Sequence, residues 1–355
     1  MIEQVLSSYG IDHRQVIVKP HGAGLINNTW KVSGGAKDYI LQKINQVVFT
    51  IPENIADNIR HIAVHLQENH PHYLFPYPEK TVNGEEMAKE ADDYFRLLPF
   101  IPDSHTLDVA HTPQQAYEAA RQFGLFTRML SGFPVQSLKT TIPGFHDLTY
   151  RYHQFEEACK KASSERLHIA ANAISFIREH NDIVTRFREI PGMPGFKLRV
   201  THHDTKISNV LFDGREKGLC VIDLDTVMPG YFISDVGDMM RTYLPSVSEE
   251  EKEFDKIDVR EEYFNAILHG YLDEMAGELS EVEMNHFVYA GKFMIYMQAV
   301  RFLADYLNND IYYGASYELH NYNRAVNQVA LLQRLIDKEE EFAQLQANFR
   351  ISSSS

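Results

Sequence analysis

Apolar residues over the first hundred positions fall in short runs punctuated by glycine. Val16-Ile17-Val18 leads into the turn-like His21-Gly22-Ala23-Gly24, and Thr29-Trp30-Lys31-Val32 follows. A Gly34-Gly35 turn then separates that run from Tyr39-Ile40-Leu41-Gln42-Lys43-Ile44. Two β-rich runs across a Gly-Gly turn predict antiparallel pairing. After Pro52 the period changes: Ile55, Ile59, Ile62 and Leu66 recur at helical spacing and predict a helix to about Gln67 with one apolar face. Further strands are expected near 73–75 and 94–98. Residues 99–103 are interrupted by proline and read as a join to a second region. Beyond it the spacing predicts helices over about 113–130, 165–180, 249–276, 280–308 and 322–346. The stretch 197–241 breaks that helical run. Within and beside it, 196–200, 210–212 and 219–222 read as short strands flanking loops dense in Asp, His and Asn.

Composition narrows the picture. The chain of 355 residues is long for one compact domain and comfortable for two lobes sharing a cleft. With 44% hydrophobic residues a sizeable core can form. The formal net charge of −15 repels nucleic acid and anionic lipid, so neither is expected as a partner. Cys159 and Cys220 stand far apart without metal-ligand spacing, which argues against a disulfide scaffold or a zinc site and fits a reducing compartment. Met1 to Gly10 lacks a basic start and an apolar run, and no apolar run approaches the roughly 20 residues of a membrane span. A cytoplasmic location is the expectation.

The chemistry concentrates in His202-His203-Asp204-Thr205-Lys206-Ile207-Ser208-Asn209. This segment matches the kinase catalytic-loop pattern His-x-Asp-x-x-x-x-Asn at every fixed position and carries Lys two residues after the Asp. Asp223 follows the apolar run 219–222, fourteen residues past Asn209. Phosphoryl transfer needs a group to accept or orient the acceptor proton, hard oxygens for Mg²⁺, and a cation against the phosphoryl oxygens. Asp204 would serve the first role and Lys206 the last, while Asn209 and Asp223 would hold Mg²⁺. His202 would pack behind the loop. Asp225, two residues past Asp223 and pointing the same way on extended chain, would bind metal, orient Lys206 or touch substrate. Asp235, in Asp235-Val236-Gly237-Asp238, would cap the next helix and brace the loop. A His-x-Asp pair alone is a solvated turn; the Lys, the flanking strands and the spaced second Asp make the pattern specific.

The nucleotide side carries less signal. Gly22-Ala23-Gly24 with Asn27 is either a phosphate-approaching glycine loop or a plain hairpin turn. The third strand, where protein kinases place a phosphate-holding Lys, presents Gln42. Either Gln42 substitutes as a neutral donor, or the register is off by one and Lys43 is the residue. By position, 98–101, with Leu98 and Phe100, would supply backbone bonds and apolar surface to adenine.

Together these residues resemble the aminoglycoside phosphotransferase and choline kinase superfamily, and most nearly its N-acetylhexosamine 1-kinases. The resemblance runs through Arg199–Thr201 and the catalytic loop, the run from Ile222 to Gly230, Asp235 to Arg241, Arg301-Phe302-Leu303-Ala304-Asp305-Tyr306-Leu307 and Asp310-Ile311-Tyr312. It implies an α+β, bilobal protein-kinase-like fold, with a small antiparallel β-rich N-lobe (1–101) binding nucleotide. A larger, mainly helical C-lobe (102–355) would carry the catalytic loop and acceptor site. It also implies ATP as donor, Mg²⁺ as cofactor, and Arg301 and Tyr312 as holders of a small sugar. The resemblance further implies Gln42 on the third strand. Leu25 stands where those kinases carry a sugar-contacting His, so an acceptor of another kind (a different sugar, an amino alcohol or an aminoglycoside) remains an alternative. Gln42 and the irregular glycine turn are what a non-catalytic nucleotide-binding relative would show; the intact Asp204, Asn209 and Asp223 argue against it.

Overall fold

The computed structural model describes residues 1–22 and 26–353. It opens with helix α1 (Ile2–Ser8), strands β1 (Ile17–Pro20), β2 (Asn28–Ser33) and β3 (Tyr39–Lys43), helix α2 (Pro52–Asn69), and strands β4 (Ala88–Glu90) and β5 (Asp93–Pro99). Among the described residues these strands form one antiparallel sheet in the order β1-β2-β3-β5-β4. The two-residue period of the strands divides it into two faces. Val32, Leu41, Phe95 and Leu97 pack with Val5 and Leu6 of α1 in a small core. The other face lines up Thr29 with Gln42, Lys31 with Ile40, Gln42 with Arg96 and Ile40 with Leu98.

The strand expected at 73–75 does not form. Pro76 and Pro78 cannot donate to a ladder, and Tyr73 and Phe75 instead lay their rings on the large core. The short β4 that pairs with β5 had no strong alternation to announce it.

The remainder is largely helical: α3 (Pro113–Met129), α4 (Leu148–Lys161), α5 (Ser164–Glu179) and α6 (Asp182–Glu189). Then come the short strands β6 (Arg199–Thr201), β7 (Val210–Phe212), β8 (Gly218–Val221) and β9 (Met228–Gly230). They pair antiparallel as β6–β9 and β7–β8. Helices α7 (Phe232–Tyr243), α8 (Glu261–Met275), α9 (Glu281–Met284), α10 (Phe287–Leu307), α11 (His320–Asp337) and α12 (Glu339–Ser353) complete the chain. This is a kinase-like fold, an antiparallel sheet lobe joined to a helical lobe.

The helix expected over 249–276 begins only at Glu261. Upstream of it, Glu249 and Glu250 are drawn into ion pairs with Arg241, Arg324 and His320, which an intrahelical path would not reach. The stretches 280–308 and 322–346 each divide into two helices, near Asn285 and at Lys338. Short α1, α4 and α6 were not expected. The apolar face of α2 (Ile55, Ile59, Ile62, Leu66) joins the large core rather than the small one.

Helix α10 is buried on nearly every side and is the axis of the large core. Helix α7 lies so close to it that a Cβ at Gly237 would meet Ala290 O at 2.3 Å. A glycine is required at that crossing, and the crossing sets where α7 presents its acidic residues. No helix among the described residues is long and apolar enough to cross a membrane.

Candidate active site

The segment from His202 to Asn209 connects β6 to β7, and α7 holds its backbone. Asp235 accepts from the amides of His202 (3.1 Å) and His203 (2.8 Å). Asp238 accepts from Thr205 N (2.8 Å), and Tyr243 Oη donates to Thr205 O (2.5 Å). Thr226 Oγ1 donates to His202 O (2.7 Å). Buried backbone polar groups demand partners, and here the partners come largely from one helix. Asp235 is buried, and that burial pushes its carboxyl up to about 7 against the two amide bonds. Asp235 does not cap α7: the N-cap is Tyr231, and Asp235 lies inside the first turn. Its carboxylate reaches sideways to the loop instead.

His202 is fully buried against Phe123 and Phe126. Ile222 O can only accept, so His202 Nε2 carries the proton of their 3.0 Å bond, leaving Nδ1 to accept from Asp204 N (3.3 Å). Burial depresses its pKa, so this imidazole is neutral and fixed. His203 takes a left-handed φ of 67°. Its ring fits only because Gly230 has no Cβ, which would sit 2.5 Å from His203 Cε1.

Asp204 is half-buried at the cleft. Asn209 Nδ2 donates to its Oδ2 (3.0 Å) and backbone O (2.9 Å), and Lys206 Nζ lies 3.2 Å from Oδ1. Burial alone would raise the Asp204 pKa, but Lys206 first and then His202 and Asn209 outweigh it, and the net shift is downward. The carboxylate is therefore charged at neutral pH and aimed by two neighbours. Asn209 spends its amide on Asp204, and its carbonyl oxygen is the atom it could offer a metal.

Asp223 adopts a left-handed conformation (φ 58°, ψ 63°) after β8, and residues 224–226 form a single 3₁₀ turn. The extended geometry that would point Asp223 and Asp225 the same way is absent; a left-handed residue and a tight turn stand there instead. Asp223 reaches cleft water. Its carboxyl is pushed up to about 7, by enclosure first and then by Asp225 and Asp204. The repulsion from the two carboxylates is the cause that water contact does not remove. Asp225 is buried. Arg96 Nη1 donates to its Oδ1 in an ion pair, and Asn27 Nδ2 donates to Oδ2 (2.7 Å). Both donors come from the sheet lobe.

Gln42 sits opposite Arg96 and accepts at Oε1 from Arg96 Nε (2.9 Å) and Nη2 (2.8 Å), while its own amide donates to Thr29 (3.2 Å). Lys43 turns to the other face and pairs with Asp93 at 2.6 Å. The strand register thus puts Gln42, not Lys43, on the cleft face. Gly22 has φ 74°, a conformation that glycine adopts freely; Gly24 and Leu25 lie outside the described residues. Leu98 follows Arg96 on the same strand face, and Phe100, one residue past β5, carries Lys31 Nζ 3.5 Å from its ring centroid.

On the helical side, Arg301 sits among rings: 5.5 Å from Tyr313, 5.6 Å from Phe145 and 6.0 Å from Tyr312. Phe145 stacks on His146 (4.3 Å), whose Nδ1 lies 3.3 Å from His203 Nδ1, next to Asp204. Burial holds both imidazoles neutral, His203 down to about 3. Tyr312 and Tyr313 are set by Asp305, which accepts from both amides (2.7 and 2.9 Å). Arg151 lies close enough to Arg301 for the second charge, after burial, to depress its pKa. Among the described residues neither guanidinium forms an ion pair: Arg301 donates to Gln298 (3.2 Å), Arg151 donates to Gln154 (3.0 Å), and Arg151 Nε has no partner.

Sequence reasoning missed Arg96, Phe145, His146, Arg151 and Tyr313. None belongs to a motif; a charged residue at Arg96 inside the otherwise apolar run of β5 was the one available signal.

Among the described residues no cluster of three or more His, Cys, Asp or Glu side chains could hold a metal ion. Magnesium takes one or two carboxylates with waters and phosphate oxygens, and the hard-oxygen set of Asp223 and Asn209 fits that share.

Sheet lobe, helical lobe and an Asp–Lys–Asn loop facing a second Asp define a kinase-type phosphotransferase. The chain belongs to the phosphotransferase enzyme family (APH), whose sequence model matches residues 17–277. Kinases of this family use ATP with Mg²⁺. Solved structures share the fold at low identity. A microcompartment-associated aminopropanol kinase matches at TM-score 0.62 and 13% identity, over 96% of this chain and 97% of its own. A spectinomycin phosphotransferase, solved with ADP and spectinomycin, gives 0.59 and 15%, over 93% and 95%. A choline kinase from Cryptosporidium parvum gives 0.56 and 13%, over 95% and 96%.

Proposed function

We propose that this phosphotransferase is a sugar 1-kinase that phosphorylates the anomeric hydroxyl of an N-acetylhexosamine. The observation that carries the choice of acceptor is the pair Arg151 and Arg301, two guanidiniums beside the catalytic loop without a carboxylate partner among the described residues. Such a wall repels a quaternary or primary amine and offers paired donors to sugar hydroxyl and acetamide oxygens. Tyr312, two-thirds exposed, would cover an apolar sugar face.

In this reading residues 1–101 hold the nucleotide, with Gly22, Gln42, Leu98 and Phe100 toward it, and residues 102–355 hold the acceptor. Asp204 takes the proton of the anomeric hydroxyl as that oxygen bonds to the γ-phosphorus, and the bond to the bridging oxygen breaks to release ADP. Lys206 neutralises charge on the transferred group. Asn209 and Asp223 would hold Mg²⁺, which would supply charge against the phosphate oxygens. Asp225, engaged by Arg96 and Asn27, acts beside the metal rather than on the acceptor.

The test is an ATP-consumption screen over N-acetylhexosamines, plain hexoses, choline, ethanolamine and aminoglycosides, with phosphorus NMR of the product. N-acetylhexosamine 1-phosphate is expected. Turnover of an amine with no N-acetylhexosamine turnover overturns the acceptor assignment.

A further inference from the structure

We propose that Arg96 is the cation that grips the nucleotide's phosphates, standing in from β5 for a lysine that the cleft face of β3 does not carry, with Asp225 as its partner in the nucleotide-free protein. The assignment rests on the ATP-dependent phosphotransferase reading and adds to it. Cross-strand register places Arg96 opposite Gln42, so its guanidinium occupies the same patch of cleft face. Gln42 uses its oxygen to fix the Nε–Nη2 edge of that guanidinium and its amide to hold Thr29, which makes it a mount for Arg96. The nearby strand lysines are committed elsewhere, Lys43 to Asp93 at 2.6 Å and Lys31 to Asp38 at 3.2 Å. Leu98 continues along the same face toward the join between the lobes, and Phe100, one residue past β5, meets Lys31 of that face, as apolar surface would for a base whose phosphates lie at Arg96.

The third donor direction of Arg96 points at Asp225, two residues past Asp223. Arg96 is 1% exposed, so a lone charge there would be costly, and Asp225 supplies the counter-ion. Phosphate oxygens are better partners than one carboxylate oxygen for a planar guanidinium. Nucleotide therefore competes with Asp225 for Arg96. Asn27 keeps Asp225 tied to the sheet lobe meanwhile.

Metal-free calorimetry of ADP and adenosine binding tests this without turnover. Arg96→Met should weaken ADP at least about tenfold, the scale of a charge-assisted bond, and leave adenosine within about twofold. Arg96→Lys should recover part of the loss. Asp225→Asn frees the guanidinium and should tighten ADP while leaving adenosine unchanged, so the proposal stands or falls even where Arg96→Met does not fold. Unchanged ADP affinity in Arg96→Met, equal loss of ADP and adenosine in a folded variant, or weaker ADP binding in Asp225→Asn each overturns the assignment. Wild-type protein that binds neither ligand contradicts the kinase reading itself.

Discussion

Asp235 accepts from the backbone amides of both His202 and His203, so one carboxylate on α7 fixes the two residues that precede Asp204. Removing it strands two buried donors. Asp235→Ala should destabilise the protein by about 2–6 kcal/mol, at about 1–3 for each unsatisfied group, and lower kcat well beyond any change in ATP affinity. Urea unfolding with parallel steady-state kinetics measures both. Full stability in the variant would mean that water replaces the carboxylate.

Gly237 sits two residues past this anchor, where α7 crosses α10. A Cβ there would lie 2.3 Å from Ala290 O, so Gly237→Ala should force the helices apart. The expected cost is about 1–3 kcal/mol, read as a lower urea midpoint, with reduced kcat because α7 carries the loop.

The acceptor wall makes a separable prediction. Arg301→Ala and Arg151→Ala should each raise the acceptor KM by about ten- to a hundredfold, the worth of a charge-assisted hydrogen bond, and leave the ATP KM nearly unchanged. Initial-rate kinetics in both substrates separates the two. An effect confined to ATP would remove these residues from the acceptor site.

Carboxylate crowding predicts a pH dependence. Asp223 and Asp235 are both pushed up to about 7 in the folded protein, from 3.8. A raised carboxyl pKa means the folded state binds more protons than the unfolded state between those values. That stability is fully present below about pH 4 and is lost as pH rises through about 7. Calorimetric melting in EDTA should show Tm falling from pH 5 to pH 8. Asp223→Asn should reduce that fall without abolishing it, since Asp235 contributes with the same sign. A Tm that rises across this interval would contradict the crowding.

The catalytic loop was legible because its chemistry is local: Asp204, Lys206 and Asn209 lie within six residues, and Asp223 ends the next apolar run. The lobes were legible because the hydrophobic period changes from two to helical spacing. Arg96 and Arg151 were not, because each acquires its meaning from a partner about 130 to 150 positions away. The ring stack of Phe145 and His146 likewise comes beside Asp204 only through its contact with His203. The direction of Asp225 was misread because strand geometry was carried past Asp223, where a left-handed residue ends the strand.

The most direct test is the single-turnover rate of Asp204→Asn against wild type, with ATP, Mg²⁺ and the acceptor that the screen identifies. Loss of at least about a hundredfold, within the usual worth of a proton-accepting group, with ATP binding and Tm retained, is the predicted result. A rate equal to wild type would contradict the assignment of Asp204 and with it the phosphoryl-transfer account of this cleft.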